Sequence, residues 1–193
     1  MFTIAQRAQD VTGLMTTTMF VMAIVVSVIS FIQLNVEGYQ SIPGELVVRG
    51  THNSVRYSRN YGGKSGRGKE NVKLRFDLNA DLTPLFNWNT KQVFVYLVGE
   101  YDGPDNAEGI KNLEEHSKVV FWDHIIPDAN HAQLSLKNKK SKYSVYDYYP
   151  TLENRTASVK LEFNVQPWIG PLIWGTLNTE DEVTFHKPKS KKN

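Results

Sequence analysis

Five histidines, His52, His116, His124, His131 and His186, are the residues from which catalysis or metal binding would most readily be built in this 193-residue chain. No two of them stand at a spacing typical of metal ligands, and a zinc site needs three or four converging donors. Cysteine is absent. That removes disulfides, thiolate zinc sites, cysteine-ligated iron–sulfur clusters and a thiol nucleophile together. It leaves the redox compartment open, since proteins of oxidising compartments can also lack cysteine. Asp123 and His124 are adjacent, so on a strand their side chains face opposite ways. No serine stands in a G-x-S-x-G nucleophile turn, although a triad assembled from distant positions is not tied to any such motif. The acidic pairs Glu114-Glu115 and Asp181-Glu182 lie in polar surroundings and read as solvated. Gly63 to Lys69 satisfies G-x-x-x-x-G-K, but Glu70 replaces the hydroxyl residue that would hold magnesium. A strand-like stretch follows it, where a phosphate loop requires a helix N-terminus. The expectation is therefore a chain with no catalytic, cofactor-binding or metal-binding residues of its own.

Two aromatic segments are more informative. Asp81-Leu-Thr-Pro-Leu-Phe-Asn-Trp-Asn-Thr-Lys-Gln92 places Phe86 and Trp88 among polar residues, and Pro84 excludes a regular central strand there. Asn164-Val-Gln-Pro-Trp-Ile-Gly170 opens an apolar stretch that includes Ile173 and Trp174. Such aromatics either cap a core, keeping one polar atom near water, or anchor an interface. For Phe86 and Trp88 both readings stand, and Leu82, Pro84, Phe86, Trp88 and Asn89 form the candidate partner contact. For Trp168 the expectation is core packing.

The elements that must position these segments begin with the N-terminus. No charged residue occurs between Asp10 and Glu37. About 20 helical residues at about 1.5 Å each cross a hydrocarbon core of about 30 Å. Residues 11–34 are thus expected to form a membrane anchor, and their threonines and serines can bond back to preceding carbonyls. The apolar stretch is too long for a signal-peptide core of about 7–15 residues. The mean hydropathy of −0.39, which suggests a soluble protein, averages this anchor with a polar remainder. Arg7 and the terminal amine precede the span, whereas Glu37 and Glu45 follow it ahead of Arg49. The positive-inside rule then puts residues 1–10 in the cytoplasm. Asn154-Arg-Thr156 is the one Asn-x-Ser/Thr sequon of the chain. Its use as a glycosylation site requires the rest of the chain to be lumenal.

Residues 35–186 read as one β domain. Val72, Leu74, Phe76 and Leu78 alternate with Lys73, Arg75 and Asp77, and Val159, Leu161, Phe163 and Val165 alternate with Lys160, Glu162 and Asn164. This period of two buries one face of a strand and wets the other. Further strands are expected at 92–100, 118–126, 142–149 and about 182–186, with a weaker one in 46–58, giving an antiparallel sandwich of about seven strands. Residues 107–118 suggest a short polar helix or a loop. Residues 187–193 form a basic tail whose four lysines account for the small positive charge of +2. That charge gives no reason to expect a nucleic-acid partner.

Several ordered segments carry a family resemblance. They are the short N-terminus through Gln9 with one membrane helix, Arg56-Tyr-Ser-Arg59, and Lys69-Glu-Asn-Val-Lys-Leu-Arg-Phe-Asp-Leu78. The run from Asp81 through Gln92 to Leu97 is the most specific. Val119-Val-Phe-Trp-Asp-His-Ile-Ile126, Lys142-Tyr-Ser-Val-Tyr-Asp147 and Phe163-Asn-Val-Gln-Pro-Trp168 follow in order. In these the chain resembles the subunit 3 family of the eukaryotic signal peptidase complex. The resemblance implies a single-pass type II glycoprotein of the endoplasmic reticulum membrane with a lumenal β domain, N-glycosylated in the region of Asn154. It implies no chemistry of its own, no cofactor, and a role in holding the catalytic serine protease subunit for signal-peptide removal. The implied partners are that subunit, the small membrane subunits of the complex, the lipid bilayer and the protein translocation channel. Two other classes compete on the residues alone: an enzyme with a hidden Ser-His-Asp triad, and a membrane-anchored module that binds glycans or unfolded cargo.

Overall fold

A computed structural model describes residues 3–61, 68–102, 116–147 and 152–186. The glycine-rich connection at 62–67, residues 107–115 of the expected polar helix or loop, and the tail 187–193 lie outside them. Helix α1, Ile4–Val36, runs past both ends of the expected 11–34 span, and its 33 residues measure about 50 Å at about 1.5 Å each. Thr3 caps its start by accepting the Gln6 N–H at 3.4 Å. Within it, the hydroxyls of Thr12, Thr16, Thr17 and Thr18 donate to carbonyls four residues back at 2.8–2.9 Å. Those bonds keep the hydroxyls satisfied in an apolar medium. The helix is long and apolar enough to cross a membrane. Gly38, at φ 76°, ends it in the left-handed conformation that glycine adopts at no steric cost.

Seven strands follow: β1 (Gly44–Arg56), β2 (Lys69–Asp81), β3 (Thr90–Asp102), β4 (His116–Ile126), β5 (Gln133–Lys140), β6 (Thr156–Pro167) and β7 (Ile173–Thr184). They form two antiparallel sheets, β1-β2-β5 and β4-β3-β6-β7. The alternation of β2 and β6 is realised as expected: Val72, Leu74, Phe76, Leu78, Val159, Leu161, Phe163 and Val165 are all buried in one core. The sheets meet face to face, with Phe76 of one edge-on to Trp122 of the other at 5.7 Å. Phe163 lies opposite Gly175 in the β6–β7 ladder, and a methyl group there would approach its ring to 2.4 Å. The glycine leaves room for the ring.

Both sides of the sandwich are laced. The free edge of β1 donates its Leu46 and Val48 N–H groups to Thr179 Oγ1 (3.1 Å) and Asp181 Oδ2 (2.6 Å) of β7. On the other side, the Tyr143 N–H donates to the Phe121 carbonyl of β4 at 3.0 Å. Edge groups that would otherwise template foreign pairing are thereby occupied.

Two expectations are corrected, and one strand is added. Residues 142–147 are not a strand. The chain leaves β2 after Ser141, crosses to β4 at Tyr143, and returns only at Val145, which exchanges both backbone bonds with Val72. The strand on that edge is β5, whose sequence holds little apolar signal beyond Leu134 and Leu136. The last strand begins at Ile173 rather than near residue 182.

Candidate functional site

The aromatic connection between β2 and β3 lies at the end of the sandwich next to α1. Asp81 starts it as a turn: its Oδ1 accepts the Thr83 N–H at 2.9 Å. Hydrogen bonds from the Thr83 hydroxyl and amide hold its carboxyl below the usual carboxylate range. One turn of 3-10 helix, Thr83–Leu85, follows, and Pro84 fits because the first N–H groups of a helix have no internal partner. Leu82 and Leu85 are fully buried, and the Leu82 N–H is tied to the Ala132 carbonyl at 3.0 Å. Pro84 and Phe86 are half-buried, with Phe86 packed on the core. Trp88 is 59% exposed.

Two asparagines fasten this connection. Asn87 Nδ2 donates to the carbonyl (3.2 Å) and hydroxyl (3.1 Å) of Ser30 on α1. Asn89, 2% exposed, accepts the Ile169 N–H on Oδ1 at 3.1 Å and donates from Nδ2 to the Ile169 carbonyl at 2.8 Å. Its own carbonyl accepts the Trp168 N–H at 2.8 Å. Of the five candidate contact residues, Leu82 and Asn89 therefore spend their side chains inside the domain. Trp88, flanked by the partly exposed Pro84 and Phe86, presents the free surface. Asn87 and Ser30 were not singled out from the sequence, because an asparagine in a loop and a serine in an apolar helix each have many ordinary uses.

The expected core packing of Trp168 is overturned. Trp168 is 68% exposed and Trp174 61%, whereas Trp122 is buried. The reason is the chain's path: after Pro167 the loop leaves the β6 ladder and turns towards α1, where Gly170, at φ 127°, lies against Ser27. The signal that marks this loop in the sequence is the absence of any charge between Glu162 and Glu180.

Among the described residues, those considered for chemistry do not converge. Among the described residues no group of three or more His, Asp or Glu side chains is placed to hold a metal ion. His131 Nδ1 meets Asp128 Oδ1 at 2.8 Å on the surface, and the exposed His124 ring stacks on Trp122 at 5.8 Å. Asp123 instead pairs with Lys142 at 2.9 Å. Among the described residues no serine hydroxyl bonds to either ring.

Asn154 lies at the opposite end of the domain. It is exposed, at φ 61°, in the turn before β6, and its N–H donates to the Phe185 carbonyl at 2.9 Å. The 12 residues of β6 carry the chain from there to the helix end of the sandwich, about 40 Å at about 3.3 Å per residue. Arg155 is ion-paired with Asp147 and lies 5.9 Å from the Tyr101 ring. Burial, aided by the Asp147 charge, pushes the Tyr101 hydroxyl up to about 12.

Comparison with known proteins covers this whole architecture. A family profile described as "Signal peptidase subunit" matches residues 1–188. The chain is 42% identical over 188 residues to "Signal peptidase complex subunit 3" of Yarrowia lipolytica, covering 96% of this chain and 98% of that one. It is 42% identical to the protein of the same name from Debaryomyces hansenii, covering 100% and 98%. For the Saccharomyces cerevisiae protein of that name the identity is 40%, covering 91% of each chain. Anchor, connection and sandwich thus match together: the chain belongs to the signal peptidase subunit family.

Proposed function

We propose that this chain is a non-catalytic, membrane-anchored subunit of the endoplasmic reticulum signal peptidase complex. The observation that carries the reading is the match to subunit 3 proteins along nearly the full length of both partners. On this reading α1 spans the membrane with residues 1–10 in the cytoplasm and the β domain in the lumen. The domain holds the lumenal part of the catalytic serine protease subunit, the small membrane subunits pack around the helix, and the translocation channel delivers the substrate.

The physical contribution is a fixed height and angle. A protease that cuts next to a membrane must keep its nucleophile at a set distance from the lipid, and orientation of this kind lowers a barrier without any chemistry from the scaffold. The junction is suited to that. Leu34 of α1 is buried with Tyr39 and Ile42 in the core of the β domain, and Asn87 clamps Ser30. The sandwich therefore stands on the helix as one packed body rather than on a free tether.

Two outcomes are expected. The purified full-length chain alone leaves a presecretory substrate uncut while the assembled complex processes it; cleavage by the chain alone, abolished by changing one histidine, would favour the hidden-triad enzyme. Asn154→Gln is expected to remove a single electrophoretic step that endoglycosidase also removes, since the exposed sequon faces the lumen in this orientation. Full-length protein that never carries that step would remove this support for the orientation.

A further inference from the structure

Three of the four tryptophans are exposed, and all three lie at the helix end of the sandwich. Two of them flank the loop at 167–174, Pro-Trp-Ile-Gly-Pro-Leu-Ile-Trp, which also exposes Ile169 and Leu172. The height of this loop along α1 is set by direct contact. Gly170 rests on Ser27 so closely that a methyl group on it would lie 2.6 Å from the Ser27 hydroxyl. Ile169 lines one apolar groove with Met22, Ala23 and Val26 of the helix. Gln33 is the first polar residue other than Ser or Thr after Val11. At about 1.5 Å per residue, Ser27 is about 9 Å below Gln33, and Met22 is about 16 Å below it. A helix that crosses a bilayer therefore carries this loop below the level at which its own sequence turns polar.

The loop is built for that position. It has no charge, and Pro167 and Pro171 have no N–H to satisfy. The Trp168 and Ile169 N–H groups and the Ile169 carbonyl are taken up by Asn89, as backbone near hydrocarbon requires. Lys91 Nζ lies 5.3 Å from the Trp168 ring centre, a cation beside an amphipathic ring, the pairing suited to lipid phosphates above acyl chains. We infer that residues 167–174 form a second membrane contact, seated in the headgroup–acyl boundary of the leaflet on the domain's side, with Trp168 and Trp174 as interfacial anchors. Aromatic and aliphatic groups at this boundary bury about 5–10 Å deep. Two attachments to the same leaflet, helix and loop, fix the tilt of the β domain against the membrane plane, which a single span does not. The inference rests on α1 spanning the membrane.

The cysteine-free sequence permits a direct test. Single cysteines are introduced as Trp168→Cys and Leu172→Cys in the loop, Ile24→Cys on the exposed face of α1 and Val55→Cys at the far end of the sandwich. Each full-length variant is nitroxide-labelled in phosphatidylcholine vesicles, and its collision rates with oxygen and with a water-soluble nickel chelate are compared. The oxygen-to-nickel ratio at 168 and 172 is expected to exceed that at 55 several-fold and to approach that at 24. High nickel accessibility at 168 and 172 with protection at 24 would overturn the loop contact and leave the span intact. Protection from both reagents at 168 and 172 would mean that protein, such as a second copy, covers the loop, and would overturn it too. Nickel accessibility at 24 would remove the span and the loop contact together. Two loop positions are used so that a label that disturbs one is recognised at the other.

Discussion

Replacing Asn89 by alanine is expected to lower the stability of the β domain by about 2–4 kcal/mol. The side chain satisfies both the N–H and the carbonyl of Ile169 from a position only 2% exposed. Each of these part-buried backbone groups, left without a partner where the neighbouring side chains keep water out, costs about 1–3 kcal/mol. For a domain of this size that corresponds to a melting midpoint lower by roughly 5–15 °C, read by circular dichroism on full-length protein in detergent. The change also releases the loop that carries Trp168, so the loss exceeds what shortening a surface asparagine would cause. A midpoint within about 1 °C of the parent would mean that water replaces the amide and that Asn89 does not hold the loop.

The second large effect is on assembly. Trp88→Ala is expected to leave folding nearly unchanged, within about 0.5 kcal/mol, because the ring is mostly exposed. If Trp88 anchors the contact with the protease subunit, the same change removes about 2 kcal/mol or more of binding. That is roughly 30-fold in affinity. Phe86→Ala is a poorer probe, since Phe86 packs on the core and its loss mixes folding with binding. Quantitative co-purification of tagged Trp88→Ala from mildly solubilised membranes measures the effect. Recovery of the protease chain equal to the parent's, with an unchanged melting midpoint, would place the interface elsewhere on the domain.

The sequence was most readable where one face of a strand meets the core and the other meets water. β2 and β6 are such strands, each central in its sheet with both neighbours paired, so their apolar alternation is strong; β3, equally central, reads as the continuous apolar run 93–98. β5 and β7 are edges. β5 is short and ends in Lys137, Asn138, Lys139 and Lys140, with Asn138 in a left-handed conformation at φ 50°. Lysines and irregular backbone are how edges avoid foreign pairing, and they also erase the periodic signal. The strand expected at 142–149 and not formed over the described residues 142–147 had the opposite fault: Tyr143, Val145 and Tyr146 look like a β pattern, yet only Val145 reaches the core.

At the site, the aromatic connection was legible as unusual because Phe86, Trp88 and Pro84 cannot belong to a regular strand. Its division of labour was not. Whether Asn89 faces a partner or clamps Ile169 depends on where residue 169 lies, 80 positions further on. Trp168 was misassigned for a related reason. A tryptophan at the end of a buried strand usually folds back over the core, but here the two prolines and the left-handed Gly170 carry the chain onto α1. The long apolar helix itself was evident from the charge-free stretch, while its start at Ile4 rests on Thr3 capping a helix end that the hydropathy pattern does not mark.

On the proposed function this chain works as a subunit and not by itself. Affinity purification of the tagged full-length protein from mildly solubilised endoplasmic reticulum membranes, with every co-eluting chain identified and quantified, tests it most directly. A membrane serine protease at a fixed stoichiometric ratio, together with small membrane proteins, is expected to co-elute in a fraction that removes signal peptides. Elution of the chain alone, under conditions in which other membrane complexes stay intact, would contradict it.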